Sequence, residues 1–375
     1  MQVTLLMGQK NRINSTILYI TGVLKPVHLP FICCVMKKLI FTLSIVASLS
    51  ITSNAQDPNF SQFFASPLTL NPAMTGKFDG LFRIAGNYRN QWPTINNAFV
   101  TKTASADFHL MRDYLPEIDR WGIGGLFISD QNGNGALTTN MFSLSTAYHK
   151  GLDENGYHQI GVGFQGSYTD KRLDVYKLKF ADQLTALGFT GNTAEIFPQS
   201  GLQVKYVDIN AGVLYNGSSN GYNNFYLGAS MYHINRPKET FQGGQFYLNS
   251  RTTIQGGGRL PTTQYNALHF SANYSFQANA TNLMFGGAYA LNLNYDEDDP
   301  VNLYMGAWAR LNNVTDAIIP YIGLEFGDVQ LGATYDMNVS SLKPASNTRG
   351  GIEISLIYIK KPVDRNLKKL NCPKF

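Results

Sequence analysis

From Val329 to Ser340 the chain alternates without a slip. Val329, Leu331, Ala333, Tyr335, Met337 and Val339 take one side, and Gln330, Gly332, Thr334, Asp336, Asn338 and Ser340 the other. A period of two sends successive side chains to opposite faces of an extended strand and does not suit a helix. Residues 350–359 repeat the pattern, with Ile352, Ile354, Leu356 and Tyr358 opposing Glu353 and Ser355, although Ile357 breaks it. Similar alternation recurs at 81–92, 98–110, 121–130, 136–150, 158–170, 204–216, 224–234, 264–276, 282–294, 301–312 and 317–327. Turn-rich stretches such as Ser129–Gly135, Leu152–Gly156 and Ser218–Asn224 punctuate these segments.

Short alternating segments separated by turns are the sequence sign of a membrane β-barrel, in which lipid-facing and lumen-facing residues take turns. A soluble β-sandwich alternates too. Its solvent face would carry many Lys and Glu, whereas the polar positions here are mostly Gly, Ser, Thr, Asn and Gln, which suit a lumen. The 13 segments are an odd number, and bacterial single-chain barrels usually have an even one. Counted from the N-terminus, 224–234 rises; counted back from the C-terminus, it falls. One strand is therefore hidden, and Phe246–Ile254, within the long stretch 235–263, is the candidate. The expectation is an all-β fold: a transmembrane antiparallel β-barrel of about 14 strands over 81–359, with both termini periplasmic. Closure requires 81–92 to pair with 350–359, and the long loops 171–203 and 235–263 fall outside the cell.

Lys37 and Lys38 precede an apolar run from Leu39 to Ile51, and Ser53, Asn54 and Ala55 supply small residues for cleavage. That is the layout of a secretory signal peptide over 36–55, which places the mature start at Gln56 and export to the cell outer membrane. Residues 1–35 precede a complete signal with its own Met36 and are best read as a start codon placed too early. The alternatives are an unstructured extension and a lipoprotein signal using Cys33 or Cys34. Removing the leader takes five of the 30 basic residues and no acidic one, leaving 25 against 25. No clustered basic face remains to support nucleic-acid binding. Cys372 alone survives cleavage, which excludes an internal disulfide framework.

Charges within the strands fall mostly on the polar face: Arg83, Arg89, Asp107, Asp208, Arg310, Glu325, Asp336 and Glu353, with Lys102 the exception, as at a strand end. An inward position avoids the roughly 2–4 kcal/mol of facing lipid at mid-bilayer. Such residues form a polar interaction surface or pore lining on one reading, and paired charges that fill and brace the lumen on the other. Gly161, Gly163 and Gly166 have dinucleotide-fingerprint spacing, but they lie inside an alternating strand with no helix behind them, so glycine on the lumen face is the better account. Asp296–Asp299 lacks the ligand spacing of a calcium loop and reads as a solvated turn. The mature histidines suggest no metal pair, no hydrolase motif is present, and no cofactor is implied. Residues 56–80 contain Pro58, Pro67 and Pro72, which exclude a long regular strand. They form a periplasmic N-terminal segment that either plugs the lumen or lies across its mouth. A basic tail occupies 360–375, where it is either solvated or docked to an acidic partner.

Phe60–Gly76 (FSQFFASPLTLNPAMTG), Tyr88–Trp92 (YRNQW), Tyr335–Leu342 (YDMNVSSL), Gly350–Ile359 (GGIEISLIYI) and the terminal CPKF resemble the PorP/SprF family of type IX secretion and gliding-motility proteins, over essentially all of 56–375. Arg365–Leu370 makes the tail longer than the family's usual ending. The resemblance implies an outer-membrane barrel without known catalysis. Its implied partners are outer-membrane lipid, periplasmic or outer-membrane type IX secretion components, and a secreted cargo protein, such as an adhesin, or its C-terminal sorting domain. A porin-like diffusion channel and a barrel-embedded hydrolase are the competing functions.

Overall fold

A computed structural model describes residues 57–361, apart from 96–97, 198–201, 242–243, 296–300, 313–315 and 341–347. The acidic run 296–299, most of the tail and the leader lie outside the described residues. The strands are β1 (Phe82–Gln91), β2 (Phe99–Leu110), β3 (Arg120–Asn132), β4 (Leu137–Gly151), β5 (Gln159–Leu173), β6 (Leu184–Thr185), β7 (Gly188–Phe189), β8 (Leu202–Gly217), β9 (Asn224–Tyr232), β10 (Arg251–Pro261), β11 (Ala267–Gln277), β12 (Ala280–Asn292), β13 (Val301–Leu311), β14 (Ala317–Phe326), β15 (Val329–Asn338) and β16 (Arg349–Lys360). All but β6 and β7, a small separate hairpin, join in one closed antiparallel barrel of 14 strands. The seam is complete: β1 pairs β16 from Phe82↔Lys360 to Gln91↔Gly351. Closure leaves no unpaired strand edge facing lipid across that seam.

β11 shows why these sequences make such strands. Leu268, Phe270, Tyr274 and Phe276 point outward and are exposed, while His269, Ser271, Asn273, Ser275 and Gln277 point inward and are buried. The outer face is thus an apolar belt and the inner face a polar wall. Lys102 points outward from the fourth residue of β2, well inside the strand instead of at its end.

The hidden strand is β10, and it starts five residues later than the candidate Phe246–Ile254. Gly256, Gly257 and Gly258 occupy its centre and carry no side chains to alternate. Phe246 and Tyr247 instead belong to the preceding connection, where Tyr247 bridges Lys238. The second long loop is therefore 233–250, not 235–263.

An even strand count puts the start of β1 and the end of β16 at one rim, here the first rim. The two long connections, 174–201 and 233–250, both leave from the opposite, second rim. Residues 57–80 do not stay at the first rim. They run back through the lumen as a plug of short turns: Phe63–Ala65, Pro67–Leu70 and Pro72–Met74. Asp57 reaches the second rim, where its N–H donates to Gln277 Oε1 at 3.1 Å, and Gly76 reaches the first, where its N–H donates to Asp107 Oδ2 at 2.8 Å. Asp57 and Lys360 therefore lie at opposite rims, because the segment before β1 crosses the barrel once more.

Candidate interaction site: a charged, plugged lumen

The plug is held by apolar contact in its middle and by charge towards its ends. Phe63, Leu70, Ala73 and Met74 of the plug pack with Leu214, Tyr226, Met284, Trp308, Ile319 and Tyr321 of the wall in one buried cluster. Phe64 lies against Trp308, ring centroids 4.9 Å apart, and meets Tyr321 edge-on at 5.5 Å. These inward aromatics interrupt the polar wall where the plug supplies apolar partners.

Four of the eight strand charges converge around Ser61. Arg89 Nη2 and Arg310 Nη2 both lie 2.8 Å from Asp336 Oδ2, and Arg89 Nη1 lies 3.1 Å from Glu353 Oε2. Ser61 Oγ donates to Asp336 Oδ1 at 2.7 Å, and the N–H groups of Ser61 and Gln62 donate to the two oxygens of Glu353 at 2.7 and 3.1 Å. Two cations and two carboxylates thus neutralise one another in a fully buried site, with plug hydrogen bonds to Asp336 Oδ1 and to both oxygens of Glu353. Gln62 continues the contact by donating to Glu353 O at 3.0 Å and accepting from Ser355 Oγ at 2.7 Å.

Arg83 and Asp107 form a second, separate pair near the first rim. Arg83 Nε and Nη2 meet the two carboxylate oxygens at 2.9 and 2.8 Å, and Nη2 also donates to Met74 O at 3.1 Å. Gly76, at φ +71°, passes so close to β3 that a Cβ on Gly122 would stand 2.6 Å from its Cα. Gly163 does the same for the next turn, since a Cβ there would stand 2.4 Å from Ala73 N. Gly161 and Gly163 thus face the lumen, whereas Gly166 faces outward.

Asp208 belongs to a third group, at the second rim. Its Oδ2 lies 2.8 Å from His233 Nδ1, while His233 Nε2 lies 2.8 Å from Asp57 Oδ2 and Arg251 Nη1 lies 3.4 Å from the same oxygen. Burial pulls the pKa of His233 down, but the carboxylates of Asp57 and Asp208 outweigh it and set it at about 9. Burial likewise raises Asp57, and His233 and Arg251 hold it well below the usual carboxylate range. Glu325 accepts from Asn302 Nδ2 at 2.9 Å and Tyr304 Oη at 2.5 Å. Sequence reasoning did not single out His233, Arg251 or Ser61. No spacing marks them, because His233 meets a residue 176 positions away and Ser61 one 275 positions away.

Two cavities between the plug and β10–β12, which share Asn59, Arg251 and Ser275, have volumes of about 10 and 20 Å³, room for a water or two and not for a solute. Among the described residues no three His, Cys, Asp or Glu side chains converge as a metal site would require.

Fold and lumen together define a plugged transmembrane β-barrel. The chain belongs to the type IX secretion system membrane protein PorP/SprF family, whose model matches residues 52–358. No curated protein matches it. Among solved structures it is similar to a mutant of the monoaromatic hydrocarbon channel TodX, at 10% identity, TM-score 0.47, covering 81% of this chain and 95% of that one. The toluene transporter TbuX of Ralstonia pickettii is similar at 10% identity, TM-score 0.43 and coverages of 79% and 93%. CdiB from Acinetobacter baumannii is similar at 8% identity and TM-score 0.42, covering 74% of this chain, which spans 59% of that one.

Proposed function

We propose that this chain is an outer-membrane component of type IX secretion that supports export or surface attachment of secreted proteins such as adhesins, and that it acts by presenting a surface and not by conducting solute or catalysing a reaction. The filled lumen is the observation that carries this reading: apolar packing and buried ion pairs tie the plug to walls all around the barrel. A diffusion channel needs a continuous hydrated path, and here the plug runs through the lumen from one rim to the other. On this reading the second rim faces outward, since long barrel loops belong outside the cell. The loops 174–201 and 233–250 are then the cargo-facing elements, and the first rim with the basic tail faces periplasmic secretion components. The eight strand charges brace the plug and wall and make no cargo contact themselves.

The test has two arms. Deleting the gene should remove one or a few large secreted proteins from the cell surface while other outer-membrane proteins assemble normally. Purified barrel in planar bilayers should show little conductance. An unchanged surface proteome together with porin-like conductance would transfer the function to solute diffusion.

A further inference from the structure

β8 has unequally covered edges. Towards β5 it is paired from Leu202↔Leu173 to Asn216↔Gln159. Towards β9 pairing stops at Ala211↔Met231. The chain leaving β9 covers only a little more. Ile234 N donates to Ile209 O at 3.0 Å, Asn235 Oδ1 accepts from Ile209 N at 3.1 Å, and Asn235 Nδ2 donates to Val207 O at 2.8 Å. The Asn235 carboxamide thus stands in for a peptide group and clips the edge.

Strand alternation fixes what lies beyond the clip. Residues 207 and 209 turn their backbone groups to the open side, so 203 and 205 do too, while 202, 204 and 206 face β5. Among the described residues nothing pairs with the N–H and C=O of Gln203 and Lys205. The clip ends where the lipid-facing surface ends: the outward residues of β8 are apolar at Val213, Ile209 and Val207 and polar at Lys205 and Gln203. An open edge is intolerable in hydrocarbon and tolerable in water, so Asn235 seals the edge at lipid level, and beyond it no described residue pairs with the edge.

Charge supplies a second observation. Lys205, Arg236 and Lys238 are exposed around this edge, and among the described residues none lies within ion-pair distance of an acid. Asp170 stands opposite Lys205 in the β5–β8 ladder and also holds Arg172, and Glu239 holds Lys171, so the cations here outnumber the acid left to them. An unpaired edge is a template for an extended backbone, and the excess of positive charge beside it favours acidic side chains.

We propose that the β8 edge from Gln203 to Val207 is a docking strand, to which an extended, acidic segment of an exported protein adds by main-chain hydrogen bonds. This deepens the secretion reading and rests on it. The strand parity provides the test. Lys205→Pro removes the N–H that faces the open side and leaves the ladder to β5 intact, whereas Lys205→Gln keeps that N–H and removes the charge. Surface proteomics of the deletion strain identifies the dependent proteins, and heat-modifiability of each variant reports a folded barrel. Lys205→Pro should lower surface display of those proteins about tenfold, as loss of main-chain pairing implies, and Lys205→Gln about threefold, the scale of one exposed charge. Normal display with folded Lys205→Pro overturns the docking strand and leaves the secretion reading standing; no loss in the deletion strain overturns the secretion reading itself. If Lys205→Pro does not fold, a photo-crosslinking residue at position 205 decides. Adducts with an exported protein support the proposal, whereas adducts only with a second copy of this chain, only with lipopolysaccharide, or none at all overturn it.

Discussion

Ser61 Oγ donates to Asp336 Oδ1 at 2.7 Å, and Asp336 Oδ2 is shared by Arg89 and Arg310, each at 2.8 Å. One plug hydroxyl therefore completes a site whose charged members come from β1, β13, β15 and, through Glu353, β16. Plug and barrel are one folded unit, and each stabilises the other.

Asp336→Ala leaves two guanidinium groups buried with Glu353 as their remaining acid. Removing one partner of a buried pair costs roughly 3–5 kcal/mol. The folded barrel in detergent should therefore lose heat resistance and unfold at lower urea. Glu353→Ala should act in the same direction through Arg89, with Arg83 unaffected because it pairs with Asp107. Unfolding midpoints equal to wild type in both variants would show that the network contributes nothing to stability.

The second-rim anchor should respond to pH through His233. Its folded pKa, about 9, lies above the ordinary 6.5, so its stabilising contribution is complete below 6.5 and is lost as pH rises through 9. Asp57 is lowered, so its contribution is present above its ordinary 3.8 and is lost only in stronger acid. The start of the plug is thus held best between about pH 4 and 6.5. A cysteine replacing Asn59 should react with maleimide faster at pH 9.5 than at 6.5 after correction for thiolate fraction. His233→Gln should remove that difference.

Much of this was legible in the residues and some was not. β11 and β15 alternate over their whole length, so their existence and outward faces followed directly. β10 was displaced because three glycines erase alternation at its centre. Arg83 and Arg89 stand opposite Asp107 and Glu353 in the ladders, so hairpin register and closure contain those pairs in principle. Arg310 and Asp336 lie on strands that are not neighbours and meet beside Ser61, which no strand register encodes. The prolines of 57–80 excluded a strand, but the lumen path depends on contacts far apart in sequence.

Gly163→Val should displace the plug without unmaking β5. A Cβ there would stand 2.4 Å from Ala73 N and Pro72 C, backbone atoms that cannot turn aside. Overpacking of this kind costs roughly 1–3 kcal/mol or more. Gly166→Val is the matched control, since nothing lies within 4 Å of a Cβ there. Planar-bilayer conductance should rise for Gly163→Val and stay at the wild-type level for Gly166→Val. Equal conductance in the two variants would mean that the plug does not close the lumen at this turn.

The path of the plug also decides where tags appear. Asp57 is tied to His233, Arg251 and Gln277, all at the second rim, whereas Lys360 ends β16 at the first and donates to Asp328 Oδ2 at 3.1 Å in the turn there. An epitope inserted between Gln56 and Asp57 should therefore lie on the same side of the membrane as one in the loop 174–201, and on the opposite side from one placed after Lys361. The prediction does not depend on which side is the cell exterior. Antibody binding to intact and permeabilised cells reads all three. If the tag before Asp57 became accessible only together with the tag after Lys361, the plug would have to enter and leave by the same rim, and the second-rim contacts of Asp57 could not be those of the membrane-inserted protein.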